Sequence, residues 1–421
     1  MSSILQDITL VPLLFQCFPF QGYSQKNNKE KVMKKYIWTH EFVAAFYVTM
    51  YSILSPLTHT SANGTSTVIL YLALALCFAM TLLVKKRVNA SYTLLVKILA
   101  VVGGFLLFDA IFRSNDDIFE YIYYFVIYGL FTIFFVNYLE SFEIFLKCYI
   151  ALTLISGVVM AMDPFQGYLW SNTYMEYGLN TMLPAFSATV LLVFHYKKKM
   201  AVIPMFAILI LLAIFANKGA ILTAILLIIV GVSYINNNNI VNKKTLIYLG
   251  VIVTAMYIGY LEIFKLLIAI ADRLGIDSYA LTTISVILDD TSNNRVYNTR
   301  MDIWDEALLY FKDSPIWGNG FGFFSSHSEG YEHNLFLEIL NAWGLIGITF
   351  FFAMLQKAFS KYKLTADQNK KALLCVLFIV SFVPLMTSLT FWACQSFWLF
   401  WGIVLKNDNN DKKMSFPKKS R

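Results

Sequence analysis

Hydrophobic residues along the chain gather into long blocks separated by short polar joints. A helix that crosses a bilayer needs roughly 20 mostly apolar residues. Twelve stretches approach that length: 37–57, 67–84, 92–112, 118–138, 144–162, 178–196, 200–216, 220–235, 245–261, 335–355, 372–388 and 391–405. There is no sustained heptad pattern and no repeat period, so neither a coiled coil nor a repeat array is indicated. The pattern predicts an all-α integral membrane protein with about 12 transmembrane helices. Pro184, Pro204 and Pro384 fall inside predicted spans and are expected to kink them.

The blocks divide the chain. Residues 1–32 read as a dispensable extension or an interfacial segment, because Asp7, Pro12 and Pro19 break their apolar run. They also lack the basic start of a signal peptide. Residues 33–261 hold the first nine spans, 262–334 form the one large loop, 335–405 hold the last three spans, and 406–421 form a tail.

Composition narrows the class. Of 421 residues, 58% are apolar and only 14% charged, whereas soluble domains carry about 25% charged residues. An ordinary soluble enzyme and a disordered chain are excluded. The net charge of +7 would point to an anionic partner if the cations were clustered on one surface. They are not. With both termini in the cytoplasm, 25 of the 33 basic residues fall on the inward side. Arg113, Lys218, Lys265, Arg273, Arg295, Arg300 and Lys312 face outward, and Lys97 lies within a span. The positive-inside rule therefore accounts for the charge and predicts a multi-pass protein of the cytoplasmic membrane with cytoplasmic N- and C-termini. No nucleic-acid partner is needed. None of Cys17, Cys77, Cys148, Cys375 and Cys394 falls in an outward loop, so no disulfide framework is implied.

Chemistry concentrates in the outward loop 262–334. A loop that long is usually functional. Residues 263–274, 278–289 and 299–312 read as short amphipathic helices lying at the interface. In the third, Met301, Trp304, Leu308 and Phe311 form one stripe, Thr299 is placed to cap the start, and Pro315 follows the end. Arg273 and Lys312 sit at helix C-termini, where the dipole favours a cation. Arg295 and Arg300 flank the start of the third helix, where it does not. Two compensations stay open there: an anionic ligand, or salt bridges to Asp289, Asp290 or Asp302.

Lys218 interrupts the apolar segment 200–235 within Asn217-Lys218-Gly219, a tight outward turn. It is either a snorkelling anchor or an anion ligand. His333 precedes the tenth span at a helix amino end, which favours the neutral imidazole a general base requires. The plain alternative is a polar cap at the membrane edge. A zinc set of His327, Glu329 and His333 is disfavoured, since there is no His pair at i, i+4 and no Cys in reach. The Gly318-Asn319-Gly320-Phe321-Gly322 stretch lacks the preceding strand of a dinucleotide loop. It reads as a plain turn, or as a turn whose amides face a phosphate.

In order, these residues form a set: Asn217-Lys218-Gly219, Arg300 to Trp304, Phe311, Pro315, Gly318-Asn319-Gly320-Phe321-Gly322, His333-Asn334, Gly344 and Gly347. The set resembles the O-antigen polymerase and ligase superfamily over about 130 residues. The family turn carries Ser-Arg-Gly, so Lys218 keeps the charge but loses the bidentate fork. The resemblance implies a metal-independent glycosyltransferase without a cofactor, acting on the outer face on oligosaccharides carried by undecaprenyl pyrophosphate. It implies a polymerase joining a growing glycan to an incoming repeat unit, or a ligase transferring glycan to a lipid A core, for O-antigen, capsule or another exopolysaccharide. Membrane lipid, a flippase and a chain-length regulator are the accompanying partners. In that chemistry His333 is the base, while Arg295, Arg300 and Lys218 steady the departing pyrophosphate. Glu338 either orients His333 or binds sugar hydroxyls, although a spacing of five does not place it directly beneath His333. Trp304, Trp317 and Tyr331 are stacking or anchoring aromatics. A flippase or secondary transporter is the competing reading, but the charges sit at the outer edge rather than at the midplane.

Overall fold

The computed structural model describes residues 39–59, 65–84, 93–113, 115, 117–167, 171, 173–237, 269, 273, 295–328 and 330–406. The extension 1–32, the ninth predicted span 245–261, the interfacial helices 263–274 (Arg273 and one neighbour aside) and 278–289, and most of the tail lie outside them.

Among the described residues the fold is helical throughout, without strands. In order come α1 (His40–His59), α2 (Thr65–Val84), α3 (residues 93–112), α4 (Ile118–Asn137), α5 (Phe142–Met160), α6 (Tyr174–His195), α7 (Val202–Phe215), α8 (Lys218–Asn237), α9 (Arg295–Asp313), α10 (Phe323–His327), α11 (Leu335–Leu364), α12 (Gln368–Leu385) and α13 (Gln395–Leu405). Six helical stretches, within α3 to α6, α11 and α12, are long and apolar enough to cross a membrane on length and composition. α2, α7, α8 and α13 contain shorter apolar helices.

Packing follows small residues. A Cβ on Gly157 of α5 would meet Ala185 of α6 at 2.6 Å, and one on Gly178 of α6 would meet Ala216 at 2.7 Å. Such contacts let backbones approach where lipid supplies no hydrophobic drive. α1 packs on α2 and α5, α13 on α4 and α12, α8 on α12, and α9 on α11.

The prolines behave differently from one another. Pro204 lies in the first turn of α7 and Pro384 is the next-to-last residue of α12, so neither interrupts a long run of intrahelical bonds. Pro184 follows a π-helical turn, Tyr177–Met182. It offers no N–H to the Asn180 carbonyl four residues back, and Ser52 of α1 donates to that carbonyl instead at 2.7 Å. A second π turn, Phe125–Leu130, interrupts α4.

α9 begins at Arg295, four residues earlier than the cap signal at Thr299 predicts. The apolar stripe runs back through Tyr297, and that continuity outweighs one capping hydroxyl. Arg295 remains at the helix start. Arg300 lies roughly one and a half turns in, beyond the dipole's reach, so the unfavourable helix-start field does not apply to it. Asp302, the described member of the proposed acidic partners, makes no ion pair with Arg300.

Candidate functional site

One end of the bundle gathers Arg113, Asn115 and Asp117, the turn Asn217–Gly219, the segment 386–394 and the loop residues 314–328 and 330–334. Two anchoring systems hold that loop.

The first fixes the glycine turn. α11 is broken at Gly344 (φ 61°, ψ −152°), and the chain from Pro315 to Gly320 lies in the break. Asn319 donates its backbone N–H to the Asn341 carbonyl (2.6 Å) and Gly320 to the Ala342 carbonyl (3.1 Å). In return Leu345 donates to Pro315 (2.9 Å) and Ile346 to Ile316 (3.3 Å). The Gly318 amide donates to Ser314 (2.9 Å). These amides therefore serve the fold, as a plain turn would have them do, and not a phosphate.

α3 completes this anchor. Buried Asp109 accepts from the Phe321 N–H at 2.9 Å and pairs with Arg113 at 3.4 Å. Asn115 donates to the Phe321 carbonyl at 2.8 Å. The Phe321 ring then wedges between Trp343 (4.8 Å) and Trp392 (4.5 Å). Arg113 is thus occupied by the fold. A lone acid inside an apolar span is a functional signal by default, and Asp109 carried that signal in the sequence. Asp109→Ala leaves a buried amide unpaired, a loss of about 1–3 kcal/mol. It should lower the melting temperature in detergent and speed hydrogen exchange at 318–322. Asp109→Asn, which keeps an acceptor, should recover part of both; an unchanged Asp109→Ala protein would refute the anchor.

The second system holds His333. Trp304 of α9 donates its indole N–H to the Glu332 carbonyl at 3.1 Å, so this tryptophan fastens the loop rather than standing free to stack on sugar. Asn341 donates to the buried Glu332 carboxyl at 3.3 Å. Burial pushes that carboxyl up toward its neutral form. Asn334 caps α11, its side chain accepting from the N–H groups of Phe336 and Leu337. His333, between them, has φ 51°, a conformation in which His and Asn are enriched among non-glycine residues.

The segment after α12 closes the site. Tyr331 donates its hydroxyl to the Ser388 carbonyl, and its ring lies 4.1 Å from that of His333. The Ser388 carbonyl also stabilises the His333 ring, whose Nδ1 is buried with no hydrogen-bond partner. Burial first, and Arg300 second, hold the imidazole below its ordinary pKa, against the opposing pull of Ser388. Arg300 also acts electrostatically on Tyr331, whose phenol burial pushes up to about 12.

Lys218 begins α8. Its neighbour Gly219 lies so close to this segment that a Cβ there would be 2.6 Å from the Thr387 hydroxyl oxygen. The lysine turn and the histidine loop therefore meet across Thr387–Ser388. Arg300 is near enough to act electrostatically on both His333 and Tyr331, and Arg295 begins the same helix. Glu338 is near enough to act electrostatically on Tyr331, more strongly than Arg300 does, while its carboxylate accepts from the Thr390 hydroxyl and the Phe391 N–H. It ties α11 to the chain before α13, with no hydrogen bond to His333 among the described residues. Ser388 acts through a backbone carbonyl and had no sequence signal. Of the disfavoured zinc set, His327 stacks on Phe323 at 4.1 Å and Glu329 lies outside the described residues.

An apolar groove of about 560 Å³ lies beside this end of the bundle. It runs between α3, α11 and α13, from Lys97 and Lys357 to Arg113 and Trp317, with Phe105, Trp343 and Trp401 among its walls. Lys97 and Arg113 are sixteen residues apart on α3, or about 24 Å of helix, most of a hydrocarbon core.

Residues 203–352 match the family model described as O-antigen ligase. That match spans α7, α8, α9 and the glycine turn, and ends within α11. No curated protein matches the chain.

Proposed function

We propose, from the match of residues 203–352 to the family model described as O-antigen ligase, that this membrane protein is a polysaccharide repeat-unit polymerase. It transfers a growing glycan from undecaprenyl pyrophosphate to a sugar hydroxyl of an incoming lipid-linked unit, on the outer face of the cytoplasmic membrane. The observation that carries the reading is the meeting of the His333 loop and the Lys218 turn at Thr387–Ser388, with Arg300 near enough to act electrostatically on His333.

The chemistry follows from those groups. The acceptor oxygen bonds to the anomeric carbon as the bond to pyrophosphate breaks, and the acceptor's proton passes to His333. With the Ser388 carbonyl stabilising the ring N–H, the lone pair resides on Nδ1. That nitrogen is covered here, and catalytic hydrogen bonds commonly tighten only once substrate has arrived. Negative charge grows on the leaving pyrophosphate, and fixed cations favour that change over the ground state. Arg300, Arg295 and Lys218 supply them. The membrane-length groove offers an apolar bed for the polyprenyl chain.

Arg300 tests this reading. Arg300→Ala should cut kcat/KM by about 10²–10³-fold, the scale of losing one donor to developing charge. Arg300→Lys should recover little, because an ammonium lacks the planar fork. The assay uses purified protein with lipid-linked repeat unit as sole substrate. Polymer in that mixture supports the polymerase, transfer only on adding lipid A core makes the protein a ligase, and full activity of Arg300→Ala overturns the proposed site.

A further inference from the structure

A second cavity has no part in the chemistry above. It measures about 260 Å³ and lies inside the bundle among α1, α4, α5, α6, α12 and α13. Its wall is unusual for a helical core. Tyr51, Tyr124, Tyr128 and Tyr149 line it, together with serine and threonine hydroxyls, the amides of Asn180 and Gln395, and one acid, Glu176. Val48, Leu179, Val380, Leu389 and Leu399 are apolar parts of the same wall, and a mixture of apolar faces, tyrosines, amides and a single carboxylate suits a neutral ring with both apolar and hydroxyl-bearing faces.

Two further features point to a ligand. Ser156 is a lining residue 3% exposed, and its hydroxyl is covered and has no hydrogen-bond partner, so it reaches a ligand only if the wall shifts. A buried hydroxyl left unpaired costs about 1–3 kcal/mol, so the position is retained against a penalty. Both π-helical turns that reach this region also open onto the cavity, Phe125–Leu130 through Tyr128 and Tyr177–Met182 through Asn180. Turns of this kind cluster at functional sites. Asn180, in the cavity wall, is exposed although it lies within α6.

The cavity adjoins His333. Leu389 is in its wall, and the preceding residue, Ser388, holds Tyr331 and His333. From the other side, Tyr174 lies near enough to act electrostatically on Tyr331, and Glu176, two residues on, lines the cavity.

We propose that this chamber binds one sugar ring of the substrate glycan and so selects which saccharide reaches His333. Sites for drug-sized ligands run to about 300–1,000 Å³, so the chamber fits a single ring rather than a whole repeat unit. The inference rests on the polymerase or ligase reading, and its test is separable from that reading because it measures binding.

The probe is the free oligosaccharide released by mild acid from the organism's own lipid-linked donor. It is titrated calorimetrically into the full chain in detergent, with undecaprenyl phosphate titrated in parallel. Asn180→Ala is exposed and should fold normally; Tyr51→Phe removes one hydroxyl; Ser156→Val removes the buried one. Each of the first two should weaken saccharide binding roughly five- to tenfold, the scale of one lost hydrogen bond, and leave undecaprenyl phosphate binding unchanged. Ser156→Val should weaken saccharide binding and raise the melting temperature, because the unpaired group is gone. Wild-type protein that binds undecaprenyl phosphate but not saccharide overturns the proposal. So do variants that bind saccharide as wild type, or that lose both ligands together. An active His333→Ala enzyme would sink the catalytic reading and leave the saccharide result standing.

Discussion

His333→Asn should reduce glycan transfer by about 10²–10⁴-fold, the usual contribution of a positioned proton acceptor, while the protein stays folded. Asparagine is the informative replacement because it tolerates the left-handed backbone that His333 adopts (φ 51°). The Tyr331–Asn334 loop should then survive, and the loss reports chemistry rather than unfolding. The pH profile separates a base from a packing residue. Burial and Arg300 both lower the imidazole pKa. A lowered pKa keeps the ring neutral as pH falls past the ordinary histidine midpoint of about 6.5. The rate should therefore hold through that midpoint and fall only on further acidification. Arg300→Gln removes one of the two depressing causes, so the acid limb should move toward higher pH. A purely structural histidine would leave the limb in place when Arg300 is changed. Near-normal chain growth by His333→Asn, or an acid limb above the ordinary midpoint, would remove the base from the mechanism.

How much of this could be read from the sequence depends on where the information was stored. The start of α11 was legible from the apolar run that opens at Leu335, although the cap is Asn334 and not the neighbouring His333 that the sequence offered for that role. The helical architecture was legible from block lengths. The onset of α9 was not, because a local cap at Thr299 competed with a stripe that continued upstream. Glu338 and Asp109 illustrate a finer failure. Both are acids inside apolar helices, and that pattern marks them as important without saying what they hold. Asp109 holds the Phe321 amide and Glu338 the chain at Thr390–Phe391. Each partner lies far along the sequence, and the sequence offers no rule for pairing them. Ser388 is beyond sequence reasoning altogether, since a carbonyl looks the same on every residue. The spaced glycines, conversely, carried geometric content that a motif only hints at.

Gly344→Ala makes that content measurable. The residue sits at φ 61°, ψ −152° inside α11, a region essentially confined to glycine, where an L side chain costs roughly 1–3 kcal/mol from its own backbone. Its new Cβ would lie 2.5 Å from the Ile316 carbonyl oxygen and 2.6 Å from the carbonyl carbon. Those are backbone atoms, so no side chain can swing aside to relieve the contact. Ile316 is also fixed, because its carbonyl accepts from the Ile346 N–H at 3.3 Å. The substitution must therefore either pull the glycine turn out of the break or straighten α11 and orphan the four backbone bonds between them. We expect a loss of roughly 3–5 kcal/mol, combining strain with core overpacking, read as a large drop in melting temperature or failed accumulation in the membrane. Glycan transfer should be lost in whatever protein remains, because the same turn leads through Phe321 into the loop that holds His333. Gly104→Ala provides the contrast. A Cβ there meets nothing within 4 Å and the position is helical, so alanine should stabilise by about 0.5–1 kcal/mol. If both variants melted alike, the break in α11 would not be what seats the loop. If Gly344→Ala kept full activity, the route from that break to the histidine would be wrong.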